Sequence, residues 1–250
     1  MLAIIGGTGF GEFAGLSEIK SSEVKTDYGL SYIEPGILNG APLLFLPRHG
    51  NPPRFPPHMI NYRANIDALI ALGATSIIAV TAVGGVDESL AVPELIIPDQ
   101  LIDYTFGRAQ TFYDDEIHHI DLTYPYDIAL RNQLVSATRE ARKSNSDILL
   151  REGGVYGCLQ GPRLETAAEI RRLRIDGCHI VGMTAMPELA LARERGIPYA
   201  GISVNVNAGA GINEAPIEMA DIVDAMTIGM SWIRDVIRIF QRYSASSSGE

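Results

Sequence analysis

Leu2-Ala3-Ile4-Ile5-Gly6-Gly7-Thr8-Gly9 decides the fold class of this 250-residue chain. Four consecutive apolar residues followed by a glycine cluster read as a buried strand entering a tight loop, since glycine bends the backbone there without steric cost. The same grammar recurs downstream. Residues 32–38 and 42–46 are apolar segments, and residues 62–72 have helical spacing that stops at Gly73. Residues 76–81 form another buried strand, ending at Ala82-Val83-Gly84-Gly85. A further strand is expected within 94–104, an amphipathic helix at 127–143, an extended segment at 149–159 and a helix at 165–174. Residues 179–183, a short helix at 187–195 and a strand at 199–206 repeat the alternation. The last helix should span 217–242, before a Ser-rich tail at 244–250 that need not fold. Strands alternating with helices predict one α/β domain over residues 1–243, a mixed, mostly parallel sheet flanked by helices. Ligands in such sheets sit where strands end.

Composition narrows the function. A formal net charge of -10 argues against a nucleic-acid surface, which needs a clustered positive field. No apolar stretch approaches transmembrane length, so no membrane partner is expected. The N-terminal apolar run is too short for a signal peptide. Cys158 and Cys178 lack metal or redox spacing and suit buried free thiols, which predicts a cytoplasmic protein. The five histidines are scattered, and adjacent His118-His119 cannot readily face one metal, so no metal site is expected. Asp114-Asp115-Glu116 reads as a solvated acidic turn.

Several polar residues fall at strand ends: Thr8, Arg48, Thr81, Thr184 and Asn205. Gly7-Thr8-Gly9-Phe10-Gly11-Glu12 departs from a dinucleotide fingerprint, because its third glycine comes early. It is either a tight turn or a small anion cradle of backbone N–H groups and the Thr8 hydroxyl. Arg48 is either a salt-bridge residue or a planar, two-pronged phosphate ligand, the second favoured by the threonines at neighbouring strand ends. Glu165, within Gln160-Gly161-Pro162-Arg163-Leu164-Glu165-Thr166, only accepts hydrogen bonds when ionised, whereas Asn205 both donates and accepts. Hypoxanthine offers the complement: a donor at N1, acceptors at O6 and N7. Met219, Ile222 and Val223 fall at i, i+3 and i+4, a spacing whose default meaning is core packing.

These residues together resemble the trimeric purine nucleoside phosphorylase and methylthioadenosine phosphorylase family over nearly the whole chain. Ile4-Ile5-Gly6-Gly7-Thr8-Gly9, Arg48-His49-Gly50, Asn61-Tyr62-Arg63-Ala64-Asn65, Thr81-Ala82-Val83-Gly84, Gly161-Pro162-Arg163 and Gly182-Met183-Thr184-Ala185-Met186-Pro187-Glu188 occur in the family's order. The resemblance implies a pentosyltransferase that needs no cofactor, takes inorganic phosphate as co-substrate and assembles as a homotrimer. It implies that Thr8, Arg48, His49, Thr81, Ala82 and Thr184 bind phosphate. Met183 would lie on the ribose, and Leu164, Glu165 and Asn205 would surround the base; Asn207 is counted with the base residues, as a partner that orients Asn205 or as an ordinary turn residue. Catalysis would rest on Arg48, Glu165 and Asn205.

Departures from the family set the expected substrate. Methylthioadenosine phosphorylases are expected to carry a small hydroxyl residue at position 165 and aspartates at 205 and 207, so Glu165 and Asn205 resemble the 6-oxopurine members instead. Those members are expected to offer a histidine to the sugar 5'-hydroxyl, whereas no histidine follows His179 here. Met219 takes that place, with Ile222 and Val223 beside it and His119 of a neighbouring subunit closing the pocket. An oxopurine base with an apolar 5' end describes 5'-methylthioinosine. Rival expectations are an inosine and guanosine phosphorylase, a methylthioadenosine phosphorylase, a water-using nucleosidase and a non-enzymatic nucleotide-binding module.

Overall fold

The computed structural model describes residues 1–213 and 216–246. At its centre is β5 (Ser76–Gly85), a ten-residue strand that is apolar along most of its length and therefore buried on both faces. One edge of β5 carries β11 (Tyr199–Ala208) in parallel. The other edge carries β1 (Leu2–Gly6) in parallel, but only as far as the pair Ile5 and Ala79. Beyond it, β10 (Ile180–Gly182) joins antiparallel at Gly84 and Gly85. Residues 80–83 of β5 thus face a gap between two neighbouring strands, and this gap positions the site.

The sheet extends outward from both edges. β1 pairs in parallel with β4 (Ala41–Pro47). From there the antiparallel strands β3 (Gly29–Leu38) and β2 (Ser22–Thr26) continue as a meander. On the other side, β10 runs parallel to β9 (Val155–Cys158), and β9 to β7 (Gln100–Asp103). β11 also pairs antiparallel with β6 (Glu94–Ile97), which lies parallel to β8 (Leu150–Glu152). The expected mixed, mostly parallel sheet is present, with three differences, one being that the extended segment 149–159 holds two strands, β8 and β9. The segment 94–104 is two strands, because Pro98 and Asp99 separate β6 from β7. The sequence reading also omitted β2, whose Ser-Glu-Val-Lys-Thr has no apolar alternation to detect.

Alternating side chains send the two faces of β1 and β5 into different cores. Ile4, Ile78 and Val80 pack with Leu134 and Ala137 of α2 (Ile128–Ser144) and with Ile233 and Ile237 of α5 (Met219–Ser246). Ala3, Ile5, Ile77 and Ala79 pack with Ile66 and Leu69 of α1 (Tyr62–Ala71) and with Leu189 and Leu191 of α4 (Ala185–Glu194). A smaller cluster of Val86, Val181 and Cys178 holds Ile170 and Leu173 of α3 (Ala167–Ile175). Side-chain caps fix where three helices begin: Asn61 accepts from the Ala64 N–H, Asp127 from the Leu130 N–H, and Thr166 forms a reciprocal capping box with Glu169.

Helix α5 runs through Ser246, past the expected end at 242, so the expected tail boundary at 244 is too early. Residues 247–250 of that tail lie outside the described residues. Among the described residues, no helix is long and apolar enough to cross a membrane.

Candidate active site

A cavity of about 710 Å³ opens at the gap beside residues 80–83 of β5. Arg48, just past β4, is buried at its inner wall. Its Nη1 donates to the Val80 carbonyl at 3.0 Å, using an acceptor that neither β1 nor β10 reaches. Its Nε and Nη2 donate to the two carboxylate oxygens of Glu188 on α4, at 2.7 and 2.8 Å. Tyr199 donates to the same carboxylate at 2.8 Å. Burial disfavours the guanidinium charge, but the Glu188 carboxylate outweighs burial and holds the Arg48 pKa above its ordinary value. The glycine before Thr8 is demanded by this arrangement, because a Cβ at Gly7 would stand 2.8 Å from Arg48 Nη1. This corrects the expectation of a two-pronged anion ligand, because the fork of Arg48 is occupied by Glu188. Arg48 lines the cavity wall, but its side chain is fully buried.

Around Arg48 the structure brings together the other strand-end residues. Thr8, His49, Thr81, Ala82 and Thr184 all line the same cavity. Thr81 shares a 2.7 Å hydrogen bond with Ser203. Thr184 immediately precedes α4 but makes no capping hydrogen bond to it, so its hydroxyl is not spent on the helix. His49 is held to the carbonyl of Phe55 through Nδ1 at 2.8 Å. Burial lowers the His49 pKa, partly opposed by that hydrogen bond, so the ring is neutral near pH 7.

A second wall comes from the segment leading into α3, with Pro162, Leu164, Glu165 and Met183 lining the cavity. Glu165 is half-buried, and burial raises its carboxyl pKa. Gly161 has φ +62°, and a Cβ there would meet Met183 Sδ at 2.5 Å, so glycine is what lets the segment rest on Met183. Arg108 ties this wall together, donating to the carbonyls of Gln160 at 2.8 Å, Met183 at 2.9 Å and Met186 at 2.5 Å. It also reaches the Gln160 side chain at 3.1 Å. The sequence reading did not find Arg108, because its partners are mostly backbone carbonyls and leave no sequence signal. By contrast, Arg163 pairs with Glu169 and stays outside the cavity lining.

The two asparagines, both expected at the base, are placed differently. Asn205 is 0% exposed and does not line the cavity. Its Nδ2 donates to the Ala91 carbonyl at 2.8 Å, while its Oδ1 has no hydrogen-bond partner among the described residues. Asn207 does line the cavity. Its Nδ2 donates to the Ala208 carbonyl at 2.8 Å, leaving a second amide hydrogen and Oδ1 free for a ligand. The cause is a bulge in β11: Asn205 pairs with Val83 and Asn207 with Gly84, so Val206 is the extra residue. Bulges re-aim side chains that a regular strand would point to one face.

The first two turns of α5 close the cavity with Met219, Ile222 and Met226. Core packing does not explain them, since Met219 is 63% exposed. Val223, expected beside them, is 48% exposed and does not line the cavity; the i, i+3, i+7 stripe selects Met226 instead. His119 is exposed and outside the lining of its own chain's cavity. His118 stacks on Tyr113 with ring centroids 4.1 Å apart. Both cysteines are buried, and burial pushes the Cys158 thiol up to about 12. Among the described residues, no cluster of three or more His, Cys, Asp or Glu is placed to hold a metal.

Residues 1–241 match the family model described as the phosphorylase superfamily. A probable S-methyl-5'-thioinosine phosphorylase from Pseudomonas syringae pv. tomato is 48% identical, the match covering 93% of this chain and 94% of that protein. A probable 6-oxopurine nucleoside phosphorylase from Thermococcus kodakarensis is 41% identical, over 90% of this chain and 85% of that protein. The crystal structure of a methylthioadenosine phosphorylase from an Antarctic soil metagenomic library superimposes with a TM-score of 0.91 at 33% identity, covering 100% of this chain and 88% of that one.

Proposed function

The chain belongs to the phosphorylase superfamily, and on that premise we propose that it cleaves 5'-methylthioinosine with inorganic phosphate. The products are hypoxanthine and 5-methylthioribose 1-phosphate. One observation carries this reading: a half-buried carboxylate, Glu165, and an apolar stripe of Met219, Ile222 and Met226 share one cavity. The carboxylate accepts the N1–H that hypoxanthine has and adenine lacks. The stripe suits a methylthio group, because burying a hydroxyl there without a partner would cost free energy. Relatives at 45% to 48% identity that are named probable S-methyl-5'-thioinosine phosphorylases support the same substrate.

In this mechanism phosphate attacks C1' as the bond to N9 breaks, through a transition state with positive charge on the ribose. Phosphate is held by the hydroxyls of Thr8, Thr81 and Thr184 and by backbone N–H groups of the glycine loop and Ala82. Its charge compensates the cationic sugar, so no cofactor enters. Arg48 shapes this wall through Glu188 and Val80. Negative charge grows on the departing purine, where Asn207 donates to N7 or O6 while Glu165 holds N1–H. Met183 lies along the ribose. Most of the acceleration comes from positioning and fixed dipoles.

We also infer a cytoplasmic homotrimer, in which His119 of a neighbouring subunit closes the 5' end. Two buried, unreactive thiols suit that compartment. The experiment is product analysis with and without phosphate. Phosphate-dependent release of hypoxanthine and a sugar phosphate is expected. Release at the same rate without phosphate would identify a hydrolase and overturn the proposal.

A further inference from the structure

Among the described residues, four ionisable side chains line the cavity: Arg48, His49, Arg54 and Glu165. The positive charge of Arg48 is cancelled by Glu188, with both side chains fully buried and the fork of one closed on the carboxylate of the other. His49 gives its Nδ1 hydrogen to the Phe55 carbonyl, and burial favours its neutral form. Glu165 adds negative charge. A phosphate dianion brought into this cavity therefore meets no uncompensated cation from the residues that sequence reasoning assigned to it.

Arg54 is the exception. Its guanidinium is a cation with a planar array of hydrogen-bond donors. It makes no ion pair among the described residues, and its one charge-related contact is with the Phe55 ring, 4.9 Å from the centroid. The loop that carries it is fixed rather than free. Arg54 N–H and Phe55 N–H both donate to the His49 carbonyl, at 2.9 and 3.1 Å, while His49 holds the Phe55 carbonyl in return. Pro52, Pro53, Pro56 and Pro57 flank it and fix φ at four positions, which lowers the entropy lost on holding the loop in place. The loop is thereby tied to the residue that follows Arg48, and Arg54 lines the same cavity as Thr8, Thr81 and Thr184.

We propose that Arg54 is the phosphate-binding residue that supplies the net positive charge of the site, while the buried Arg48–Glu188 pair supplies its shape. This rests on the phosphorylase reading above. The test uses Arg54→Gln and Arg54→Lys, with thermal melting to verify folding. The phosphate KM is measured at saturating 5'-methylthioinosine, the nucleoside KM at saturating phosphate, and inorganic phosphate is titrated directly by calorimetry.

Arg54→Gln is expected to raise the phosphate KM by about 10- to 100-fold, the span of a lost charge-assisted hydrogen bond. The nucleoside KM should stay within about twofold, since the lost contact is with phosphate alone. Arg54→Lys should recover most of the loss. A phosphate KM and a calorimetric affinity unchanged in Arg54→Gln would overturn the proposal, as would a loss confined to the nucleoside KM. If the parent proves hydrolytic yet its calorimetric phosphate binding still depends on Arg54, the charge assignment stands and the functional reading alone fails.

Discussion

Arg48 and Met219 line one cavity but are built by opposite rules. Arg48 and its partner Glu188 are fully buried, tied to β5 and α4 by paired hydrogen bonds, and wedged against a glycine that no other residue can replace. Met219 stands 63% exposed in the first turn of α5, and among the described residues no hydrogen bond ties its side chain. The inner wall is inseparable from the fold, because breaking it strands a charge in the core. The outer wall is a set of individual side chains that can change without cost to the sheet. On the proposed function, phosphorolysis depends on the inner wall's architecture, and the choice of 5' substituent on one or two residues of the outer wall.

Breaking the buried pair should have the largest effect. Glu188→Gln leaves the Arg48 charge without its counter-ion, a loss on the order of 3–5 kcal/mol. Urea unfolding checks this, and a loss below about 1 kcal/mol, the range of a surface pair, would remove the distinction between the two walls. At the outer wall, Met219→His should move preference from methylthio toward 5'-hydroxyl by about 10- to 200-fold in relative kcat/KM. Its melting temperature should stay near the parent's. A variant equally poor with both nucleosides would mean that Met219 serves folding, not selection.

The asparagines sharpen the same comparison over two positions of one strand. Asn207→Ala should lower kcat/KM while leaving stability nearly intact. Asn205→Ala should cost about 1–3 kcal/mol of stability, because the Ala91 carbonyl loses its donor. The reverse pattern, measured by parallel kinetics and unfolding, would return Asn205 to the base.

The smallest effect is a pH dependence at Glu165. Its carboxyl titrates above the ordinary 4.5 because it is buried, and its ionised form is the stronger acceptor for N1–H. Activity on oxopurine nucleosides should therefore fall on the acid side, with a midpoint above 4.5. The sign for stability is opposite: a raised pKa means the neutral form is favoured on folding, so this group's contribution is largest below 4.5 and is lost as pH rises through the folded value. Glu165→Gln should abolish the acid limb in a pH–rate profile. An unchanged limb would assign it to another group.

The apolar runs and glycine stops announced nearly every strand and helix, because both signals are local. The same locality located Thr8, Arg48, Thr81 and Thr184, each directly after or near the end of an apolar run. What stayed hidden was non-local. The bulge at Val206 depends on pairing with β5, so the sequence alone did not separate the cavity-lining Asn207 from the buried Asn205. Met226 lies a full two turns beyond Met219, past the window in which Val223 was chosen. Arg108 works through carbonyls at 159–160 and at 183 and 186, far from it in sequence, and the neutralising partner of Arg48 is 140 positions away. Chemistry at strand ends was legible; the pairing of charges across the fold was not.

Comparing kcat/KM for 5'-methylthioinosine, 5'-methylthioadenosine and inosine tests most directly whether polarity at Glu165 and grease at Met219 choose the substrate. Methylthioinosine should lead, ahead of methylthioadenosine by about four to five orders of magnitude and ahead of inosine by about one to two. Methylthioadenosine as the best substrate would contradict the role of Glu165, and inosine as the best would contradict that of Met219.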